Sequence, residues 1–291
     1  MLPLQGSVVS TFLLFNCILT DKVAYMRRHL SILFVDFRCL GPFLSIALLI
    51  GCSGCGRSND QAAARQTPLR VLCGSSMAEP IQEIVRQYEP RPGAVLVDLG
   101  GSETLLPRIL AGAPADIYVC HDPFEEKIRQ AGKLSASVEM GQLRPVLLVR
   151  AGNPQQVRRL EDLARPGLKL GIGDPRYSTC GEMFVDLLRK KGLYEPVMTN
   201  VVLQARTHAE LGNGLVLGAL DAAVVWNFVA RLYEGKVELV KTEAEYPLVR
   251  VTVLGLSSSA NPAARDAFLQ YCRTAPARAI FGKHGYGAGA R

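Results

Sequence analysis

Several kinds of function are excluded by what this sequence lacks. It has one tryptophan and four histidines in 291 residues, and aromatic residues make up 7%. Of its eight cysteines, Cys73, Cys120, Cys180 and Cys272 lie beyond residue 68. None of these four forms a Cys-x-x-Cys pair and no histidine stands at zinc-like spacing, so no metal site is expected. There is no Gly-x-Ser-x-Gly elbow of the hydrolase kind. The net charge is +7 and the pI about 9.0. Yet the densest basic runs are only Arg158-Arg159 and Arg189-Lys190-Lys191. Neither is interleaved with aromatics and no nucleic-acid motif accompanies them. They read as solvated helix faces, and no nucleic acid is expected as a partner. What remains is ordinary globular material, 48% hydrophobic and 20% charged. That is enough for one large domain or two smaller ones, and too apolar for a disordered chain.

The N-terminal part reads as an address. Met26-Arg27-Arg28 is a basic start that leads to an apolar run over residues 39–50. The run is too short for an ordinary transmembrane helix and suits a signal-peptide core. It ends in Leu49-Ile50-Gly51-Cys52, which resembles a bacterial lipobox, with Cys52 as the lipidated first residue of the mature chain. Cys55 matches that pattern less well. Residues 1–51 are therefore expected to be a signal peptide, with Met26 its true start, and residues 52–68 a small, polar tether to a membrane. Removal of residues 1–51 takes away Lys22, Arg27, Arg28, Arg38, Asp21 and Asp36 and leaves a charge of +5. That balance is mildly favourable for an anion.

From Leu69 onward, short apolar runs alternate with amphipathic stretches. Residues 69–73, 94–99 and 115–120 read as strands, with helical patterns after the first two; residues 168–172 and 222–226 read as buried strands of a second unit. Strands alternating with helices imply mostly parallel α/β sheets. Residues 145–150 and 247–254 are extended and apolar and read as crossings between the units, a hinge of two strands. The expected organisation is lobe one over 69–148 and 251–287, and lobe two over 149–250.

The helix starts are the informative feature. Ser76 with Glu79, Thr179 with Glu182 and Thr207 with Glu210 each have the Ser/Thr-x-x-Glu form of a capping box. Ser102 follows two glycines without such a partner. In open α/β sheets these starts fall at the carboxyl edge, where ligands bind. A helix N-terminus presents unpaired N–H groups and the positive end of its dipole, and so suits an anion. Each box taken singly only caps a helix. Their recurrence in both units is what points to a site.

With these residues in view, the chain from about Leu69 to Gly285 resembles the periplasmic molybdate-binding proteins of ABC transporters, which have the type II solute-binding fold. The resemblance is carried by the stretch from Ala111 to Val119 (AGAPADIYV), by Gly173-Asp174-Pro175 with Gly181, and by the segment from Phe281 to Tyr286 (FGKHGY). It implies a two-lobed protein that captures a tetrahedral oxyanion, molybdate or tungstate, between its lobes as a monomer and passes it to an ABC transporter permease. No cofactor and no catalysis are implied. By position, the ligand hydroxyls fall on Ser76 and Ser102, the backbone donors on Cys180 and His208, and the cleft tyrosine on Trp226. An indole can donate but not accept. A set made mostly of donors disfavours phosphate, whose protonated oxygen needs an acceptor. Pro107 departs from the pattern, inside the helix expected after Ser102.

Two other readings use the same residues. A hydrolase could draw on Ser76, Ser102, His208, Asp116, Asp122 and Asp174, but no chain-order pattern links them, His208 reads as a cap-region side chain and His121-Asp122 as a strand-end turn. A sensor or scaffold module of the same fold, binding a sulfate-like anion, leaves no distinguishing motif.

Overall fold

The computed structural model describes residues 67–88, 94–241 and 246–287. The expected signal segment, Cys52 and the expected tether up to residue 66 lie outside the described residues. The chain runs through β1 (Leu69–Gly74), a 3-10 turn (Ser75–Met77), α1 (Ala78–Tyr88), β2 (Val95–Gly100), α2 (Ser102–Leu110), β3 (Ile117–His121), α3 (Phe124–Gln130) and β4 (Leu134–Leu143). It continues through β5 (Pro145–Arg150), β6 (Leu170–Gly173), α4 (Thr179–Lys190), α5 (Tyr194–Met198), β7 (Val201–Ala205), α6 (His208–Val216), β8 (Ala222–Trp226), α7 (Phe228–Leu232) and β9 (Val237–Val240). It ends with β10 (Val249–Leu256), α8 (Pro262–Cys272) and α9 (Ala275–Lys283).

These elements make two five-stranded sheets, in the orders β2-β1-β3-β10-β4 and β7-β6-β8-β5-β9. The βα repeats supply the parallel pairs β1 with β2 and β3, and β6 with β7 and β8. The remaining pairs are antiparallel: β10 lies between β3 and β4, and β5 between β8 and β9. Both sheets are therefore mixed. β5 and β10, which take up most of the segments 145–150 and 247–254 that read as crossings, are inner strands. The chain passes between sheets at Arg144, and again between Val240 and Val249.

Each sheet is covered on both faces, and the period of two along its strands decides which core a residue joins. Val71 and Cys73 pack with Ile81, Ile84, Phe268 and Phe281 on one face of the first sheet. Leu72 faces the other way, with Leu105, Ile109, Tyr118 and Phe124. In the second sheet Val224 and Trp226 join Phe184 and Leu188. Ala223 and Val225 join Leu211 and Leu215. Pro107 lies inside α2, which runs on past it to Leu110. The four described cysteines are free thiols, all buried.

Close approach explains one glycine. A Cβ on Gly181 would run into the backbone carbonyl of Gly173, so the start of α4 can lie against the end of β6 only if position 181 has no side chain. Gly181→Ala is expected to destabilise the protein by about 1–3 kcal/mol, as overpacking against fixed backbone does. Urea unfolding with an unchanged slope and a lower midpoint would confirm it.

Candidate functional site

The carboxyl ends of β1, β2, β6 and β7 each lead into a helix start, and all four starts open onto one cavity of about 810 Å³ between the two sheets. Ser76, Ser102 and Glu103 line it from the first sheet's side, and Ser178, Thr179, Thr207 and His208 from the second's. The ends of two further strands complete the wall, His121 from β3 and Trp226 from β8. At the C-terminal side the ring of Tyr286 stacks on Phe228, with centroids 5.3 Å apart.

The capping pattern predicts the helix starts more reliably than the capping residues. Thr207 caps α6 as expected: its hydroxyl accepts from the Glu210 N–H at 3.3 Å and donates to the Glu210 carboxylate at 2.9 Å. At α4 the cap is Ser178, one residue before Thr179, accepting from the Gly181 N–H at 3.3 Å. Ser76 sits in the 3-10 turn and Ser102 is the first residue of α2; neither caps a helix through its side chain. Both hydroxyls are left without a hydrogen-bond partner among the described residues. Their backbones are held: Tyr118 donates its hydroxyl to the Ser102 carbonyl at 2.8 Å, and Tyr286 donates to the Ser76 carbonyl.

Of the five ligand positions the resemblance implies, Ser76, Ser102, His208 and Trp226 line the cavity. The Cys180 side chain does not. It is fully buried behind the start of α4, and burial pushes its thiol well above the usual range. Trp226 is both core and wall: it is 1% exposed, and its indole N–H has no hydrogen-bond partner among the described residues.

The imidazole of His208 is not a surface group. Its ring lies 6.1 Å from Trp226, and its Nδ1 is inaccessible and without a partner. Burial, and the neighbouring His121, push its pKa down to about 3. His121 is more than a turn residue. Its ring is 5.6 Å from Trp226, and its Nδ1 lies 2.7 Å from the Asp122 carbonyl oxygen. A carbonyl only accepts, so Nδ1 carries the proton. Burial holds the ring below its ordinary pKa and hence neutral, which leaves Nε2 a bare acceptor.

Sequence reasoning did not single out His121, Glu103 or Arg206 as wall residues. Glu103 follows Ser102 directly, and its carboxylate folds back over Gly101, where a Cβ would run into it. Arg206 precedes Thr207, stacks 4.0 Å over the Tyr177 ring and has no carboxylate partner among the described residues. The wall therefore adds acceptors to the donors at the matched positions.

A family model described as bacterial extracellular solute-binding protein matches residues 69–287, and the chain belongs to that family. A putative binding protein of Haemophilus influenzae is 28% identical over 196 residues, 67% of this chain and 80% of the relative. The molybdate-binding protein ModA of Mycobacterium bovis is 25% identical over 254 residues, 84% of this chain and 95% of that one. The structure of the periplasmic molybdate-binding protein of Azotobacter vinelandii superposes with a TM-score of 0.63 at 19% identity, over 76% of this chain and all of that one, which shows a shared two-lobed fold.

The buried imidazole makes a prediction about acid. The unfolded chain protonates His208 near 6.5 and the folded chain near 3, so between those values the unfolded state binds more protons. Stability present above about pH 6.5 is lost as pH falls, by up to about 1.4 kcal/mol per pH unit for this one group. Urea unfolding followed across that window should show a shallower pH dependence in His208→Asn than in the wild type.

Proposed function

We propose that this protein is the extracytoplasmic capture component of an ABC importer, and that its cleft holds a tetrahedral oxyanion, molybdate or tungstate. The observation that carries the reading is the convergence of four helix starts, two from each sheet, on one cavity. Each supplies unpaired N–H groups and the positive end of a dipole. The unspent hydroxyls of Ser76 and Ser102, the N–H groups at Cys180 and His208 and the Trp226 indole complete a donor set without formal charge. Molybdate-binding relatives of full length favour this anion over others of the same shape.

A cavity of about 810 Å³ is in the size range of sites for whole small molecules. Capture of a four-oxygen anion therefore requires the lobes to close on it, pivoting where the chain crosses between sheets. The protein works as a monomer that docks on a permease, held to a membrane through lipid on Cys52.

Titration calorimetry of the purified chain against molybdate, tungstate, sulfate and phosphate tests the reading; no binding of any of them would overturn it. Ser76→Ala and Ser102→Ala should each weaken binding by roughly ten- to a hundredfold, the loss of about 1.5–3 kcal/mol expected for a hydrogen bond to a charged group. Unchanged affinity in both would remove these hydroxyls from the site. Cys52→Ser should release the protein from membranes in cell fractionation and leave anion binding intact.

A further inference from the structure

The one acidic side chain at a helix start inside the cleft that is both half-buried and free of any ion pair among the described residues is Glu103. It is the second residue of α2, next to Ser102. Its carboxylate lies against Gly101, over the same helix start that an oxyanion on Ser102 would use. Its own backbone N–H donates to it. An anion arriving at the Ser102 hydroxyl would therefore stand beside a carboxylate of the same wall. Two adjacent negative groups in a partly desolvated site repel unless a proton lies between them.

We propose that Glu103 contacts the ligand and determines specificity: the cleft binds a tetrahedral anion together with one proton, shared between the Glu103 carboxyl and an anion oxygen. This rests on the oxyanion reading above and refines it. A fully deprotonated dianion enters with a proton taken from solvent onto Glu103, which then donates to the anion. A singly protonated anion brings its own proton and donates it to the charged Glu103 carboxylate. In both cases the filled site holds the same number of protons.

The surroundings fit a carboxyl that takes up a proton. Burial raises its pKa above the usual carboxylate range, and its own N–H and the Arg206 charge on the opposite wall only partly offset this. Tyr118, beneath the start of α2, stays neutral because burial raises its phenol far above the usual range. His121 and His208 are held neutral by burial and supply no positive charge. Lys283 and His284 at the rim are engaged by Glu83, at 2.8 and 2.7 Å. Arg231 is engaged by Glu234 at 2.5 Å. Glu79, at the start of α1, adds a further acidic group to the same wall. Arg206 is thus the one cation of the wall without an ion-pair partner among the described residues, and it faces Glu103 electrostatically.

Calorimetry of the wild-type chain with sodium molybdate, repeated in two buffers of different ionisation enthalpy and over the neutral to alkaline range, reads the proton directly. The expected result is uptake of about one proton per molybdate, with affinity falling up to about tenfold per pH unit once the pH exceeds the Glu103 pKa. Hydrogen phosphate, titrated in the same way, should bind with no net uptake. In Glu103→Gln the uptake and the pH dependence for molybdate should both disappear while binding persists. Molybdate binding without proton uptake in the wild type would overturn the proposal and leave the oxyanion reading standing. So would uptake that survives in Glu103→Gln. Absence of binding by molybdate, tungstate, sulfate and phosphate alike would remove the oxyanion reading, and this proposal with it.

Discussion

The site depends on one small set of hydrogen bonds at the place where the chain first leaves the first sheet. Asn227 follows Trp226 directly. Its side-chain carbonyl accepts from the Arg144 N–H at 2.9 Å, its backbone N–H donates to the Arg144 carbonyl at 3.0 Å, and its side-chain amide donates to the Gly285 carbonyl at 2.7 Å. One residue thus ties the end of β8 to the crossing segment and to the C-terminal segment that packs on the first sheet. With Phe228 stacked on Tyr286 beside it, this junction sets how the carboxyl edges of the two sheets face each other. The wall residues His121 and Trp226 end strands on either side of this junction, β3 in the first sheet and β8 in the second.

Given that frame, the proposed anion capture rests on neutral donors. Helix starts and serine hydroxyls are fixed by the fold within each lobe, so beyond lobe closure they would need little local reorganisation to meet an anion. They also place no full positive charge against the ligand. A carrier protein must release what it binds, and a lysine or arginine ion pair buried with a dianion would be costly to separate. The unpaired arginine of the wall, Arg206, stands exposed against Tyr177. There it can draw an anion toward the cleft without being buried with it.

Much of this architecture is legible in the sequence because its signals are local. The Ser/Thr-x-x-Glu spacing marks where helices begin, and alternation of apolar residues marks the strands that precede them. At α4 the spacing points to Thr179, three residues before Glu182, yet the backbone geometry makes its neighbour Ser178 the cap. The mixed character of the sheets is not local. β10 pairs with β3 across more than a hundred residues, as between Thr252 and Cys120, and no short pattern carries that pairing. The same holds for the wall residues that the sequence conceals. His121 ends a strand like many others, and its imidazole matters only because Trp226 of the other sheet comes within 5.6 Å.

Glu103 shows the limit most clearly. An acidic residue in the first turn of a helix is ordinarily explained by the helix dipole alone. On a solvent-facing helix that explanation would suffice. Here the same turn carries Ser102 and opens into the cleft, so the dipole that stabilises the carboxylate is the one that would stabilise a bound anion. The two would compete for one set of N–H groups, and a proton or a movement of the side chain would remove the competition. A feature that reads as routine helix chemistry in one dimension lies, once the sheets face each other, in the wall of the cleft, where under the proposed reading it would decide which anions are accepted.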